Sequence, residues 1–337
     1  MRTLLTGGAG YVGSACFRAL RAQGGEAFVY DDLSTGNAAA VARDRLTVGS
    51  LADGAALADT LARLRIDTVM HFAALSIMPD SLREPERYWQ VNLDGTRTLL
   101  QAMAKAGVRR LVFSSTAAVY ALQGPEDASA LAEGSRLDPA TPYGASKLAC
   151  EWLIRDFLRV TGGGAVILRY FNAAGATPDG SHGESRAKET HLIPIVMANA
   201  LGRRPAIEVY GTDWPTPDGT CLRDYVHVDD IAQAHLLAGD AVAPGAVEIF
   251  NIGSGRGYSV REVIDSCARV TGNRVDWRAA PRRSGDPAVL VSENAKLRQR
   301  LGWAPAFPEL DDIVRSAWLW HRDHPQGYGP GGAGAPA

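Results

Sequence analysis

The segment Gly7-Gly8-Ala9-Gly10-Tyr11-Val12-Gly13 follows a short apolar run at Thr3–Thr6 and constrains this chain more than any other. Glycines allow a tight turn and let backbone approach a bound group closely. A helix opening at such a turn presents free N–H groups and its positive dipole end to an anion such as a pyrophosphate. The turn therefore predicts a strand–turn–helix unit that opens a nucleotide-binding α/β domain.

The residues that follow extend this reading. Strands are predicted at Ala27–Tyr30, Leu46–Val48, Thr68–Phe72, Arg110–Ser114 and Val166–Tyr170, with helices at Val12–Gln23, Ala55–Leu64, Glu86–Ala106 and Tyr143–Val160. Apolar strands alternating with helices predict an α/β fold, a Rossmann-type doubly wound parallel sheet covered on both faces. Ligands of such sheets bind beyond the carboxyl ends of the strands, so the chemistry is expected just after each strand.

After about Gly175 the rhythm changes to Pro-, Gly- and Asp-rich loops, such as the stretch from Gly211 to Gly219, and to shorter elements ending in an amphipathic helix at Leu310–Arg322. Residues 1–175 are read as the dinucleotide-binding domain and 176–326 as mainly a smaller C-terminal α/β substrate lobe. The strand–helix pattern at Arg223–Ala238 is expected to return to the main sheet, within a returning segment 223–250. Residues 327–337 are Gly, Pro and Ala in large part and are expected to form a flexible tail.

Charge and composition exclude other classes. The net charge of −2 gives no global field for nucleic acid or an anionic membrane. The N-terminal apolar run leads straight into glycines, without a cleavage site, and reads as a strand and not a signal peptide. No apolar stretch approaches the ~20 residues that span a bilayer. Cys16, Cys150, Cys221 and Cys267 are widely spaced, as expected of reduced thiols in a cytoplasmic protein. No metal site is expected: His321 and His324 stand near a Pro-containing terminus without further ligands, and His227 and His235 are too far apart to share a helix face.

The second predicted strand ends at Asp31-Asp32, with Asp31 eighteen residues beyond Gly13. A carboxylate there suits two ribose hydroxyls and repels a 2′-phosphate, and no Arg follows immediately, so NAD is favoured over NADP. Small residues at Ala73-Ala74-Leu75-Ser76 would let a cofactor lie close, and Asn92 would fix loop backbone beside it. Tyr143-Gly144-Ala145-Ser146-Lys147 places a phenol and an ammonium four apart, on one helix face. The ammonium is expected to lower the phenol's pKa and make it a general base. The strand ending in Phe113-Ser114-Ser115-Thr116 would supply a hydroxyl to the same place.

Taken together, the glycine turn, Asp31, His71-Phe72-Ala73-Ala74, Phe113–Thr116 and Tyr143–Lys147 resemble the extended short-chain dehydrogenase/reductase family over nearly the whole chain. The resemblance implies Thr116, Tyr143 and Lys147 as catalytic residues. It would lay the cofactor along Gly7, Gly10, Tyr11, Val12, Gly13, Asp31, Asp32, Leu33, Ser34, Ser50, Leu51, Phe72, Ala73, Ala74, Ser76, Asn92, Ser114, Tyr143, Lys147 and Tyr170. Dehydratases of the family carry an Asp-Glu pair after the hydroxyl, and its decarboxylases a Glu; here Ala117-Ala118 can move no proton. That points to the epimerase branch, in which hydride is removed and returned. Tyr170–Gly175, Glu189–Pro194, Gly211–Asp218, Arg223–Val228, Arg282–Asp286 and His324–Tyr328 resemble the members acting at C4 of UDP-hexoses such as UDP-glucose and UDP-galactose. By that resemblance Arg223 and Arg283 hold a diphosphate, Asp286 a ribose, and Asn172, His191, Leu192, Glu208, Val209, Tyr210, Tyr225 and Leu290 surround the substrate. A homodimer through paired long helices is implied as well.

The chain departs from the family pattern at several points. Ser50 stands where Asp is common, Met78-Pro79-Asp80-Ser81 replaces Val-Gly-Glu-Ser, Ala121 replaces Gly, and the loop through Gly134 is long. Leu290 occupies the position where strict UDP-galactose enzymes carry a bulky Tyr. Two other readings stay open: a 4-epimerase of UDP-GlcNAc, UDP-xylose or a UDP-uronic acid, and a non-catalytic NAD(P)-sensing module.

Overall fold

The computed structural model describes residues 1–122, 129–283 and 285–329. Part of the long loop before Gly134, Ser284 of the arginine motif, and residues 330–337 of the expected tail lie outside the described residues.

The main sheet contains β1 (Arg2–Thr6), β2 (Glu26–Asp31), β3 (Leu46–Val48), β4 (Thr68–His71), β5 (Arg110–Thr116), β6 (Gly164–Tyr170) and β10 (Val247–Ile252). Its seven parallel strands run in the order β3-β2-β1-β4-β5-β6-β10. Winding reverses between β1 and β4, and a crevice opens there at the carboxyl ends. Helix α1 (Tyr11–Ala22) and α8 (Val228–Ala241) cover one face. The other face is covered by α2 (Gly54–Arg63), α5 (Gly95–Ala106) and α6 (Pro142–Thr161).

The smaller lobe pairs β9 (Leu222–His227) with β7 (Asn172–Ala174), β11 (Gly257–Ser259) and β13 (Val289–Leu290). A second ladder joins β8 (Ile207–Tyr210) to β12 (Trp277–Ala280). Its apolar core lies among α7 (Leu192–Ala200), α9 (Val260–Thr271) and α11 (Leu310–Asp323). The helix α10 (Ala295–Leu301) rests against β10 and α8. Among the described residues no helix is long and apolar enough to cross a membrane. The four cysteines are buried and free.

One expectation is corrected. The strand at Leu222–His227 joins the small sheet, and β10 is the strand that returns to the main sheet. The reason is polar: Asp224, in the middle of β9, is buried and accepts hydrogen bonds from Ser254 and Ser292, which only the lobe supplies. β10 (Val-Glu-Ile-Phe-Asn-Ile) carries apolar side chains that suit a sheet covered on both faces.

The helix expected over residues 86–106 runs without a break and carries a π-helical insert. After α3 (Met78–Ser81) come α4 (Pro85–Tyr88), a π-helical segment Trp89–Asp94, and α5. A π turn inserts an extra residue and re-aims a side chain; Asn92 lies within this one and is buried. The boundary of α6 is set by its cap: the Thr141 hydroxyl accepts from Gly144 N, Pro142 takes the first turn, and Gly162 ends the helix at φ +70°. Such a cap stabilises by about 1 kcal/mol and fixes where Tyr143 and Lys147 fall.

Candidate active site

The glycine turn comes first. Gly7 has φ +71°, and a Cβ there would meet the Phe72 carbonyl carbon at 2.8 Å. A Cβ on Gly13 would meet Gly8 Cα at 2.8 Å. These two glycines let β1, the β4 end and α1 converge. Gly10 caps α1 with no side chain, and the first turn of α1 holds no acidic residue. Its leading N–H groups and dipole are left to an external anion.

Asp31 stands at the end of β2, 7% exposed. Its carboxylate accepts from Ala9 N and Leu33 N, each at 2.9 Å. Burial pushes the carboxyl up, against the pull of those two N–H groups. Asp31 thus braces the glycine turn as well as facing the crevice. Leu33 takes φ +60° to close this corner. Asp32 is exposed and turns onto Ser34, accepting from its N–H at 2.9 Å and its hydroxyl at 2.6 Å. Ser50 Oγ accepts from Ala52 N at 3.2 Å, and the Ser50 carbonyl accepts from the Tyr30 hydroxyl. Leu51 packs at the edge of the core behind them.

Beyond β4, Phe72 N and Ala73 N both donate to the Thr6 carbonyl, at 2.8 and 2.9 Å. This brings Ala73 and Ala74 over the glycine turn, with Ser76 exposed. Asn92 clamps the same segment: Oδ1 accepts from Leu75 N at 2.8 Å, while Nδ2 donates to Leu75 O at 3.1 Å and Ser146 Oγ at 3.0 Å. One side chain thus ties the β4 loop to the helix that carries Tyr143.

Thr116 ends β5, and its hydroxyl acts on the Tyr143 phenol, favouring the ionised form. Thr116 Oγ1 also accepts from Ala118 N at 3.1 Å. Tyr143 is buried with its ring edge-on to Tyr88, 6.4 Å between centroids. Lys147 Nζ donates to the Ser114 carbonyl at 2.8 Å and lies 4.6 Å from the Phe113 ring centroid. Burial pushes Lys147 down to about 8. Ser114 Oγ pairs with His235 Nε2 at 2.9 Å. Tyr170, at the end of the adjacent β6, interacts with Tyr143 and Ser114.

The expected direction for Tyr143 is corrected. Burial raises its phenol, the Thr116 hydroxyl lowers it, and the cation that lowers it is Arg186. The Lys147 ammonium is directed at the Ser114 carbonyl instead. Sequence reading gives Arg186 no role, because it lies in a polar loop without periodicity. Its partner was equally hidden: Glu184, 3% exposed, accepts from Arg186 Nε at 2.7 Å. His191 Nδ1 lies 2.9 Å from Glu184, and His191 N donates to Glu189 at 2.8 Å. Glu184, Glu189 and His191 bring ligand-type atoms within 4.8 Å of one another. Arg186 already supplies that cluster with a cation. Tyr11 anchors α1 nearby, its hydroxyl donating to Gly175 O at 2.6 Å, and Val12 is half-buried beside it.

The lobe contributes a second group. Arg223 Nη1 donates to the Leu222 and Pro287 carbonyls at 2.8 and 2.9 Å, and Nη2 lies 3.8 Å from Asp286. Arg283 Nε donates to Asp286 at 2.9 Å, with its guanidinium 4.5 Å from the Tyr210 ring centroid. Tyr210, Arg223, Arg283 and Asp286 therefore converge. Leu290 sits opposite Arg223 in the sheet and packs against a cluster that includes Ala117 and Phe171. Asn172 Oδ1 is buried with no hydrogen-bond partner among the described residues. Leu192 opens α7 beside His191. Two other expected substrate residues, Val209 and Tyr225, are buried in the lobe core; Glu208 is exposed, accepts from the Tyr210 hydroxyl at 2.7 Å and pairs with Arg278 at 2.8 Å.

Residues 3–253 match the model of a family described as the NAD dependent epimerase/dehydratase family. The chain is 47% identical over 329 residues to a UDP-glucose 4-epimerase of Streptomyces lividans, covering 96% of this chain and 97% of that one. It is 44% identical over 329 residues to a UDP-glucose 4-epimerase of Halalkalibacterium halodurans, covering 97% and 98%. It superposes with a TM-score of 0.89 on a UDP-glucose 4-epimerase of Brucella ovis solved in complex with NAD, at 40% identity, covering 94% of this chain and 97% of that one.

Proposed function

The chain belongs to the NAD-dependent epimerase/dehydratase family, and from that we propose that it is an enzyme interconverting the C4 epimers UDP-glucose and UDP-galactose through a transient 4-keto sugar, with NAD as its resident cofactor. The observation that carries the reading is the Thr116 hydroxyl acting on the buried Tyr143 phenol at the carboxyl end of β5, next to Ala117 and Ala118, which can move no proton. A phenol with an orienting hydroxyl and no elimination acid suits removal and return of a hydride and a proton at one carbon.

NAD fits the residues present. The turn from Gly7 to Gly13 and the uncapped start of α1 suit its pyrophosphate, Asp31 suits a ribose diol, and Ala73 and Ala74 admit a flat group. The chemistry NAD supplies when bound is reversible hydride transfer at the sugar C4. The residues of the chain handle the proton. Tyr143 takes it from the 4-hydroxyl, with Thr116 directing that oxygen, and returns it after the keto sugar presents its other face. Lys147, one turn on from Tyr143, donates to the Ser114 carbonyl and holds α6 against the end of β5. Arg223 and Arg283 suit a diphosphate, since forked donors match phosphate oxygens. Asp286 suits a ribose, and the partnerless Asn172 oxygen a sugar or phosphate-side donor. A fixed nucleotide and a mobile sugar are needed together.

The test is incubation of the purified protein with UDP-galactose and no added NAD. Formation of UDP-glucose is expected; no product with NAD supplied sinks the reading. Leu290 favours a wider sugar range as a second reading, because a Leu beside Arg223 and Ala117 leaves more room than a Tyr. Leu290→Tyr is expected to depress turnover of UDP-GlcNAc relative to UDP-galactose by roughly 10–100-fold, measured as the ratio of the two kcat/KM values. A homodimer and a cytoplasmic setting complete the proposal. Trp152 of α6 and Trp89 of the packed π segment are 50% and 38% exposed, which suits a covered helical face. Sedimentation velocity reads that state.

A further inference from the structure

Beyond Lys147 the same helix carries a second charge that the reaction as described does not use. Glu151 is one turn on and 3% exposed. Its Oε1 accepts from the Ser115 hydroxyl at 2.5 Å and from Arg169 Nε at 2.9 Å; its Oε2 accepts from Arg169 Nη2 at 2.5 Å. Arg169, on β6, is 1% exposed. Its Nη1 donates onward to the Tyr120 hydroxyl at 3.1 Å and the Glu133 carbonyl at 3.2 Å. Tyr120 donates in turn to Asn251 Oδ1 at 2.7 Å. Forked pairing fixes the carboxylate in place and direction.

A buried ion pair adds little stability over an apolar pair of the same volume. What this one adds is a standing negative charge one turn from a buried ammonium. The immediate partners of Lys147 Nζ, the Ser114 carbonyl and the Phe113 ring, carry no charge. Burial acts to discharge the ammonium; Cys150 and Glu151 oppose it. Burial also raises the Cys150 thiol, which leaves Glu151 as the acidic partner on this helix. The other titratable groups facing this region are Tyr143 on α6, Tyr88 on α4, His71 on β4, Arg169 on β6, and Tyr120 beyond β5. His71 is buried and neutral, its pKa pushed down to about 3.

We propose that Glu151 is a positioning residue of this site: fixed by Arg169 and Ser115, its carboxylate keeps the Lys147 ammonium charged and aimed at the Ser114 carbonyl. The inference rests on the proposed function only for the part Lys147 plays in turnover.

The chain has four lysines, Lys105, Lys147, Lys188 and Lys296, so NMR of ε-13C-labelled lysine reads each ammonium directly, with Lys147→Arg assigning the signal. In Glu151→Gln the Lys147 signal is expected to titrate at roughly tenfold higher proton concentration than in the parent chain. The alkaline limb of kcat for UDP-galactose should move with it while KM changes little. Glu151→Gln leaves Arg169 buried and unpaired, so a Glu151→Leu, Arg169→Met double variant, which removes both charges and keeps the volume, is measured alongside and should show a displacement in the same direction. Arg169→Lys keeps the carboxylate paired and should leave the titration in place. A folded double variant whose Lys147 titrates as in the parent chain overturns the inference. If the parent chain does not turn over UDP-galactose, the functional reading fails, and the NMR titration still decides the role of Glu151.

Discussion

Tyr143→Phe should lower kcat for UDP-galactose by about 10²–10⁴-fold, the usual contribution of a general acid–base group, while the purified protein still carries NAD. The substitution removes one oxygen and leaves the ring against Tyr88, so neither the fold nor the cofactor crevice loses a packing contact. Thr116 keeps its bond from Ala118 N and loses only the phenol. Activity is read by product formation and cofactor by absorbance after denaturation. A variant with most of the parent activity would remove Tyr143 from the reaction.

The pH profile carries the same argument. Burial raises the Tyr143 phenol, whereas the Thr116 hydroxyl and the Arg186 cation favour its ionised form. Turnover that needs the phenolate rises with pH through this group. Replacing Arg186 by Gln removes one source of stabilisation, so the acid limb of kcat should move to higher pH. An acid limb at the parent position would take Arg186 out of the account.

Gly7→Ala is expected to have the second largest effect, on folding and on cofactor retention together. A non-glycine residue in the left-handed region costs about 1–2 kcal/mol. The added Cβ would also press on backbone at Phe72 and Ala73, which no rotamer can relieve; overlap of that kind costs a further 1–3 kcal/mol. Relief requires β1 and the β4 loop to separate, which opens the crevice proposed for the cofactor. Denaturant melts should show the lower stability, and the purified variant should hold much less NAD than the parent chain. Unchanged stability with full NAD content would contradict the role given to this turn.

Much of the fold was legible because its signals are local. The glycine turn, the apolar strands and the Pro142 start of α6 each state a backbone preference within a few residues. The alternation of strand and helix then leaves few topologies for a parallel sheet. Where the reading slipped, the cause was a partner distant in sequence. Residues 222–227 look like a main-sheet strand until Asp224 finds Ser254 and Ser292. Residues 86–106 form the expected helix, but the π turn that aims Asn92 at Leu75 and Ser146 has no local signal.

The same division runs through the site. By itself the sequence determined which groups exist and their spacing along one element: the phenol and ammonium four apart on a helix, the hydroxyl at a strand end, the alanines after it. Only tertiary structure decided which charges meet. Arg186 acts on Tyr143, Lys147 turns to Ser114, and Arg169 crosses from β6 to hold Glu151. Backbone preference is set by neighbours in the chain, whereas electrostatic partnership depends on distance and burial, which exist only once the chain has folded.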